Sequence, residues 1–371
     1  MTAATRVLGR RALNRALLER QMLLRRRRVP VLDAVEHLVA MQAQVPRDPY
    51  VALWSRLDRF RPGSLAEPIA DHRAVRMTLL RGTLHLVTAR DALALRPLMQ
   101  RVVERTLYGS SPLRTAVDSV DVEALLALFR QLFDERPRTR AELVEAIRTR
   151  WPDRDATSLG YAMYLLPTVQ VTPRGLWGTS GPSAFTTVEQ WLGRSVEAQA
   201  KPDEMLRRYL AAFGPATVAD AQNWSGLSGL KEVFERLRPS LWTFRDEQGR
   251  ELFDVPDAPL TNPDTPAPVR FLPEYDNVGL AHADRSRIIA PEVRLWSEVG
   301  WGSVLVDGSG SARWRMDLED DAAVLRIEPY IKLSRADTAS ILEEGERLVR
   351  FLAAEADRYD IRFAPVGSSR A

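Results

Sequence analysis

One order of elements recurs three times along this chain: helix, helix, helix, then a short β-hairpin. A recurring unit constrains the fold strongly, because each copy must bury its apolar stripe against its own hairpin or against a neighbour. In the first copy helical periodicity runs near 10–22, 31–41 and 50–60, and strands at 74–80 and 83–87 flank Arg81-Gly82. Asp91 opens a further helix near 91–107. The second copy is helical over 121–135, and Thr139-Arg140-Ala141-Glu142 is a capping box that starts its next helix. A third helix spans 155–165, and the hairpin reads 168–172, Pro173-Arg174-Gly175, Leu176-Trp177. The third copy has helices near 203–213, 217–224 and 227–237, with strands at 241–244 and 251–253. Helix–turn–helix followed by a hairpin is the winged-helix arrangement, so three tandem winged helices are expected.

Beyond the proline-rich stretch 262–268 the pattern changes to strands at 269–272, 302–306, 312–317 and 323–328, with a turn at Asp307-Gly308-Ser309-Gly310 and a closing helix over 335–356. The expected class is therefore α+β, mainly α. Its domains are 1–110, 111–200 and 201–371, the last combining the third winged helix with a small β-rich C-terminal unit and a helix.

Gln42 and Gln44 lie where the helix over 31–41 runs out, in Val39-Ala40-Met41-Gln42-Ala43-Gln44-Val45-Pro46. On a helix, residues two apart point about 200° away from each other. In an extended segment they share a side, and Pro46 favours extension before it. Two converging amides, each with an acceptor and a donor, can hold a water molecule. A solvated helix end is the competing explanation.

The absence of cysteine excludes disulfides, thiolate metal sites and cysteine nucleophiles. The four histidines, His37, His72, His85 and His282, are not spaced as a zinc motif; His85 is expected to be packed or hydrogen-bonded, and His37 to lie on a helix surface. No metal or cofactor is expected. No apolar run approaches the ~18 residues of a membrane span, and Arg15, Glu19 and Arg20 interrupt any signal-peptide core after Arg10-Arg11, so a cytoplasmic, nucleoid-associated protein is expected. Net charge is only +3, but residues 1–30 hold nine arginines against Glu19 alone. The run Arg25, Arg26, Arg27, Arg28 reads either as a solvated loop or as an edge that contacts phosphates.

Assembled, the pieces resemble the winged-helix DNA glycosylases typified by AlkZ and YcaQ. The resemblance covers essentially the whole chain. It rests on the three hairpin-bearing units, Met41-Gln42-Ala43-Gln44, the stretch from Arg81-Gly82-Thr83 to Val87, Phe213-Gly214-Pro215-Ala216-Thr217 with Trp224-Ser225-Gly226, and the stretch from Leu272-Pro273-Glu274-Tyr275-Asp276-Asn277 to His282-Ala283-Asp284-Arg285-Ser286-Arg287. The family's catalytic motif is Gln-apolar-Gln in AlkZ-like members and Gln-apolar-Asp in YcaQ-like ones. Gln44 places this chain with the first, the branch associated with self-resistance to a producer's DNA-alkylating antibiotic. The resemblance implies that Gln42 and Gln44 are catalytic and that Asn277, His282, Arg285 and Arg287 form a groove-inserted, DNA-binding element. For those four, structural salt bridging, for instance by Asp284, stands beside DNA contact.

The implied activity is excision of bulky N7-alkylguanine from double-stranded DNA carrying alkylated purines, extending to interstrand crosslinks, by a monomer. Lysine occurs only at Lys201, Lys231 and Lys332, outside the motif region, which points to a monofunctional enzyme without a Schiff base. The alternatives are a winged-helix regulator, since fold alone does not fix function, and a protein that sequesters the alkylating agent.

Overall fold

The computed structural model describes residues 6–110, 112–197, 200–290, 299–319 and 322–367. The protein is mixed α/β, with 46% of residues helical and 20% in strands. The first segment contains the helices Arg10–Arg20, Val31–His37 and Asp48–Arg56, an additional helix Gly63–Ala70, the hairpin Ala74–Thr78 with Leu84–Thr88, and the long helix Ala89–Ser110. The second has Val122–Glu135, Arg140–Arg150 and a short turn Ala156–Leu159, the third Pro202–Phe213, Val218–Ser225 and Leu230–Leu237. Thr139 and Glu142 make the expected reciprocal cap: Glu142 Oε2 accepts from the Thr139 backbone at 2.7 Å, and Thr139 Oγ1 from the Glu142 backbone at 3.3 Å.

The first two hairpins are joined edge to edge in one six-stranded sheet. Its order is Met41–Gln42, Leu84–Thr88, Ala74–Thr78, Thr168–Gln170, Ala184–Thr187, Arg138–Thr139. The seam pairs Arg76 with Gln170 and Met77 with Val169. Here the second hairpin departs from expectation, because its return strand is Ala184–Thr187 and not Leu176-Trp177. Those two side chains instead pack against the apolar core, Trp177 on Tyr50 at 5.0 Å and on Phe351 at 5.1 Å. Tyr50 Oη donates to the Gly175 carbonyl at 2.8 Å. Gly175 has φ +98°, and a Cβ there would lie 2.8 Å from Arg76, so a side chain would collide with the sheet.

The third hairpin, Trp242–Asp246 with Glu251–Asp254, forms as expected, and Val7–Leu8 adds to it as a parallel third strand. The C-terminal unit is a five-stranded sheet backed by the helix Arg335–Leu352. Sequence periodicity foresaw four of its strands; the fifth, Arg358–Phe363, pairs parallel with Ala322–Pro329.

The first and third segments share a single apolar core in which Leu17, Val75, Met99, Tyr209, Phe213 and Trp224 meet. Phe129, Phe133, Leu143, Ile147 and Met163 form a separate core for the second segment. Three arginines that a charge count assigns to the surface are turned inward. Arg20 is held bidentately by Asp254 at 2.7 Å, Arg56 by Asp276 at 2.8 Å, and Arg15 pairs with Asp307. Buried arginines need such partners, because an unpaired cation in the interior is prohibitively costly. Among the described residues no helix is long and apolar enough to cross a membrane.

Candidate active site

The helix Val31–His37 ends before the glutamines, Val39 adopts φ +66°, and Met41–Gln42 continues as an edge strand. Pairing with the first hairpin sets Met41 opposite Leu86 and Gln42 opposite His85, and the Ala43 N–H extends the ladder to Leu84 O at 2.8 Å. Extended geometry gives the expected alternation: Gln42 is half-buried and Gln44 exposed, while Ala43 between them is buried.

Two arginines of the hairpin hold this strand. Arg81 donates Nη2 to Gln42 Oε1 at 2.8 Å and to Asn277 Oδ1 at 3.3 Å, and its Nη1 to the Trp224 carbonyl at 2.5 Å. Burial, with the nearby Arg285 charge adding to it, pulls the Arg81 guanidinium down to about 10, so it remains a cation at neutral pH. Arg76 donates Nη2 to the Ala43 carbonyl at 2.6 Å and Nη1 to Gln170 Oε1. Asn277 Nδ2 donates to the Ala40 carbonyl. The motif strand is thus fixed from both sides, and the Gln42 amide has its carbonyl toward Arg81. Gln44 is held more loosely, its Oε1 accepting from Leu84 N at 3.4 Å.

Gln42, Tyr275, Asp276 and Asn277 border a small cavity of about 20 Å³, where about 10–15 Å³ suffices for one water molecule. His85, on the strand opposite Gln42, is fully buried, with Nδ1 2.9 Å from the Thr83 carbonyl. Burial and the Arg81 charge push its imidazole down to about 3, so it is neutral and carries its lone pair on Nε2, which has no partner. It is packed and hydrogen-bonded, as expected.

Of the candidate DNA contacts, Arg25, Arg27, Arg28 and Arg285 are exposed, the first two lying near Glu19. Arg26 is not: it pairs with Glu344, donates Nε to the Trp54 carbonyl at 2.9 Å and stacks over the Trp54 ring at 4.6 Å. His282 and Arg287 are also corrected. His282 is buried with Nε2 3.1 Å from the Phe213 carbonyl, and burial holds its imidazole well below the usual range. Arg287 is buried and donates Nη1 to the Pro215 carbonyl at 3.0 Å. Asn277 is buried too, and binds the motif strand instead of entering a groove. Each of these four makes an internal hydrogen bond. Asp284 makes the expected salt bridge, with Arg250 at 2.6 Å.

Sequence reasoning gave no role to Asp48, six residues after Gln42. Its side chain is buried, Oδ2 has no hydrogen-bond partner, and burial with the nearby Glu274 charge pushes its carboxyl up to about 8. The unfolded chain releases this proton near pH 4, so between pH 4 and 8 the folded state binds more protons and stability falls as pH rises. Asp48→Asn removes that term. In thermal melts from pH 5 to 9 the variant is expected to lose less stability than the parent, with a differential of a few kcal/mol by pH 9. Parallel melting curves for the two proteins across this range contradict a buried neutral Asp48.

The fold and the motif strand together define a class. A solved structure described as Streptomyces sahachiroi DNA glycosylase AlkZ superposes with a TM-score of 0.75 over 96% of this chain and 100% of that one, at 22% identity. A curated relative from the same organism, described as an interstrand DNA cross-link repair glycosylase, is 25% identical over 364 residues, covering 90% of this chain and 94% of the relative. The model of the AlkZ-like DNA glycosylase family matches residues 35–351. The chain belongs to that family. It is an enzyme, a DNA glycosylase, and DNA is its substrate.

Proposed function

We propose that this glycosylase is monofunctional and releases bulky N7-alkylguanine from duplex DNA, unhooking interstrand crosslinks built on the same bond, and that Gln42 and Gln44 position the attacking water. An N7-alkylated guanine already carries positive charge. When its bond to C1′ breaks, the electron pair passes to N9, the base departs neutral, and the sugar becomes an oxocarbenium ion. Water then adds at C1′ and its proton passes to solvent, leaving an intact abasic site. With the leaving group activated beforehand, a strong base is unnecessary, and a held water with well-aimed amide dipoles suffices.

The observation that carries the Gln42 part of this reading is its fixed amide, bonded to Arg81 and bordering a cavity sized for one water; Gln44 lines a different, larger cavity. Each amide carbonyl that accepts one bond keeps a second lone pair for a water. The crosslink substrate is that named for the Streptomyces sahachiroi relative. On this reading the three hairpin-bearing units, 1–110, 111–200 and 201–371, are winged helices following a duplex as a monomer. Arg25, Arg27, Arg28 and Arg285 supply phosphate contacts. Self-resistance to a DNA-alkylating antibiotic, in the cytoplasm at the nucleoid, is the matching role.

The test is a duplex carrying a bulky N7-guanine adduct, incubated with the protein and then treated with alkali. Strand scission at the adduct is expected, and borohydride is expected to trap no covalent protein–DNA complex. An intact strand sinks the substrate assignment, and a trapped complex sinks the water mechanism.

A further inference from the structure

We propose that Tyr275 is a further catalytic residue, whose phenol oxygen faces C1′ and stabilises the sugar cation with the negative charge of Glu274 behind it. This role rests on the glycosylase reading above and supplies the charge that two neutral amides lack. Breaking the bond to the base leaves a positive sugar, so the groups around it must present negative potential. Other groups at this corner do not. Arg81 remains a cation at neutral pH, bonded to Gln42 Oε1 at 2.8 Å, and His85 is neutral.

The carboxyl groups nearby differ in what they can offer. Burial and the Glu274 charge keep Asp48 protonated up to about pH 8. Asp276 is taken by Arg56 through two bonds of 2.8 Å. Glu274, itself buried, accepts instead from neutral donors, the Gly300 N–H on Oε2 at 2.9 Å and the Tyr275 phenol. Among the described residues no arginine pairs with it. The bond to Glu274, with burial and the Glu274 charge adding to it, pushes the Tyr275 phenol up to about 12, so it keeps its proton. That one proton is turned to Glu274, which leaves the oxygen lone pairs for another partner and polarises them. Tyr275 is half-buried and borders, with Gln42, the cavity sized for one water. A water held there attacks from about 3–3.5 Å, so the phenol lies within reach of the same sugar carbon.

The experiment measures binding to two duplexes that cannot be cleaved. One carries a pyrrolidine nucleotide, whose protonated nitrogen puts a positive charge where C1′ stands; the other carries its neutral tetrahydrofuran counterpart. The parent is expected to prefer the cation. Tyr275→Phe and the isosteric Glu274→Gln are each expected to cut that preference about tenfold, entirely through weaker binding of the cationic duplex. Unchanged affinity for the neutral duplex shows that the variants fold. The double variant should be scarcely worse than either single, as for residues that act as a unit. A parent without the preference, variants that retain it, or equal weakening on both duplexes overturns the proposal. A parent that prefers the cation but releases no N7-alkylguanine refutes the substrate assignment and leaves Tyr275 in place.

Discussion

Replacing Gln42 by alanine is expected to slow release of a bulky N7-alkylguanine by about 10²-fold, the usual loss when one well-aimed polar group is removed from a reacting centre. Gln44→Ala is expected to act in the same direction and by less, because Gln44 is exposed and held only by a 3.4 Å bond. Arg81 acts through Gln42, so Arg81→Met is expected to cost a similar factor. The double variant Gln42→Ala with Arg81→Met should then be scarcely slower than either alone, as for residues that work as a unit. Single-turnover rates on a defined adduct measure all four corners of the cycle. Multiplicative losses show that Arg81 does something other than orient the amide, and an unchanged rate in Gln42→Ala removes the water mechanism altogether.

The second large effect concerns Asp276. Truncating it to alanine strands the Arg56 guanidinium in the interior and is expected to cost about 3–5 kcal/mol of stability. Replacing both partners by apolar groups of similar volume, Arg56→Met with Asp276→Leu, should recover most of that loss in urea melts. Excision is not expected to recover with it. Asp276 Oδ1 also accepts from the Val278 backbone at 3.0 Å, in the turn that sets Asn277 against the motif strand. A double variant that is stable and fully active shows that the pair serves stability alone; an Asp276→Ala variant as stable as the parent refutes the burial argument.

Periodicity and local chemistry made much of the fold legible. The capping box at Thr139, the Arg81-Gly82 turn of the first hairpin and the alternation around Ala43 all depend on residues within a few positions of one another. What stayed hidden depends on partners far along the chain. The arginine-rich first thirty residues read as a phosphate-binding edge because the sequence does not show that Arg15, Arg20 and Arg26 meet Asp307, Asp254 and Glu344. His282 and Arg287 carry polar side chains in a polar stretch, and nothing local reveals that this stretch folds onto the carbonyls of Phe213 and Pro215. Trp177 reads as a strand residue because Tyr50 and Phe351 are not visible from position 177. Asp48 gave no signal, since an aspartate before a proline is an ordinary helix start and only burial makes it unusual.

The short parallel strand Val7–Leu8 ties the order of assembly to the order of synthesis. Its partners Arg245 and Asp246 leave the ribosome long after it does. The strand Val7–Leu8 therefore has no ladder partner until residues 245 and 246 have been made. Synthesis that stalls before residue 246 leaves this strand without its permanent neighbour.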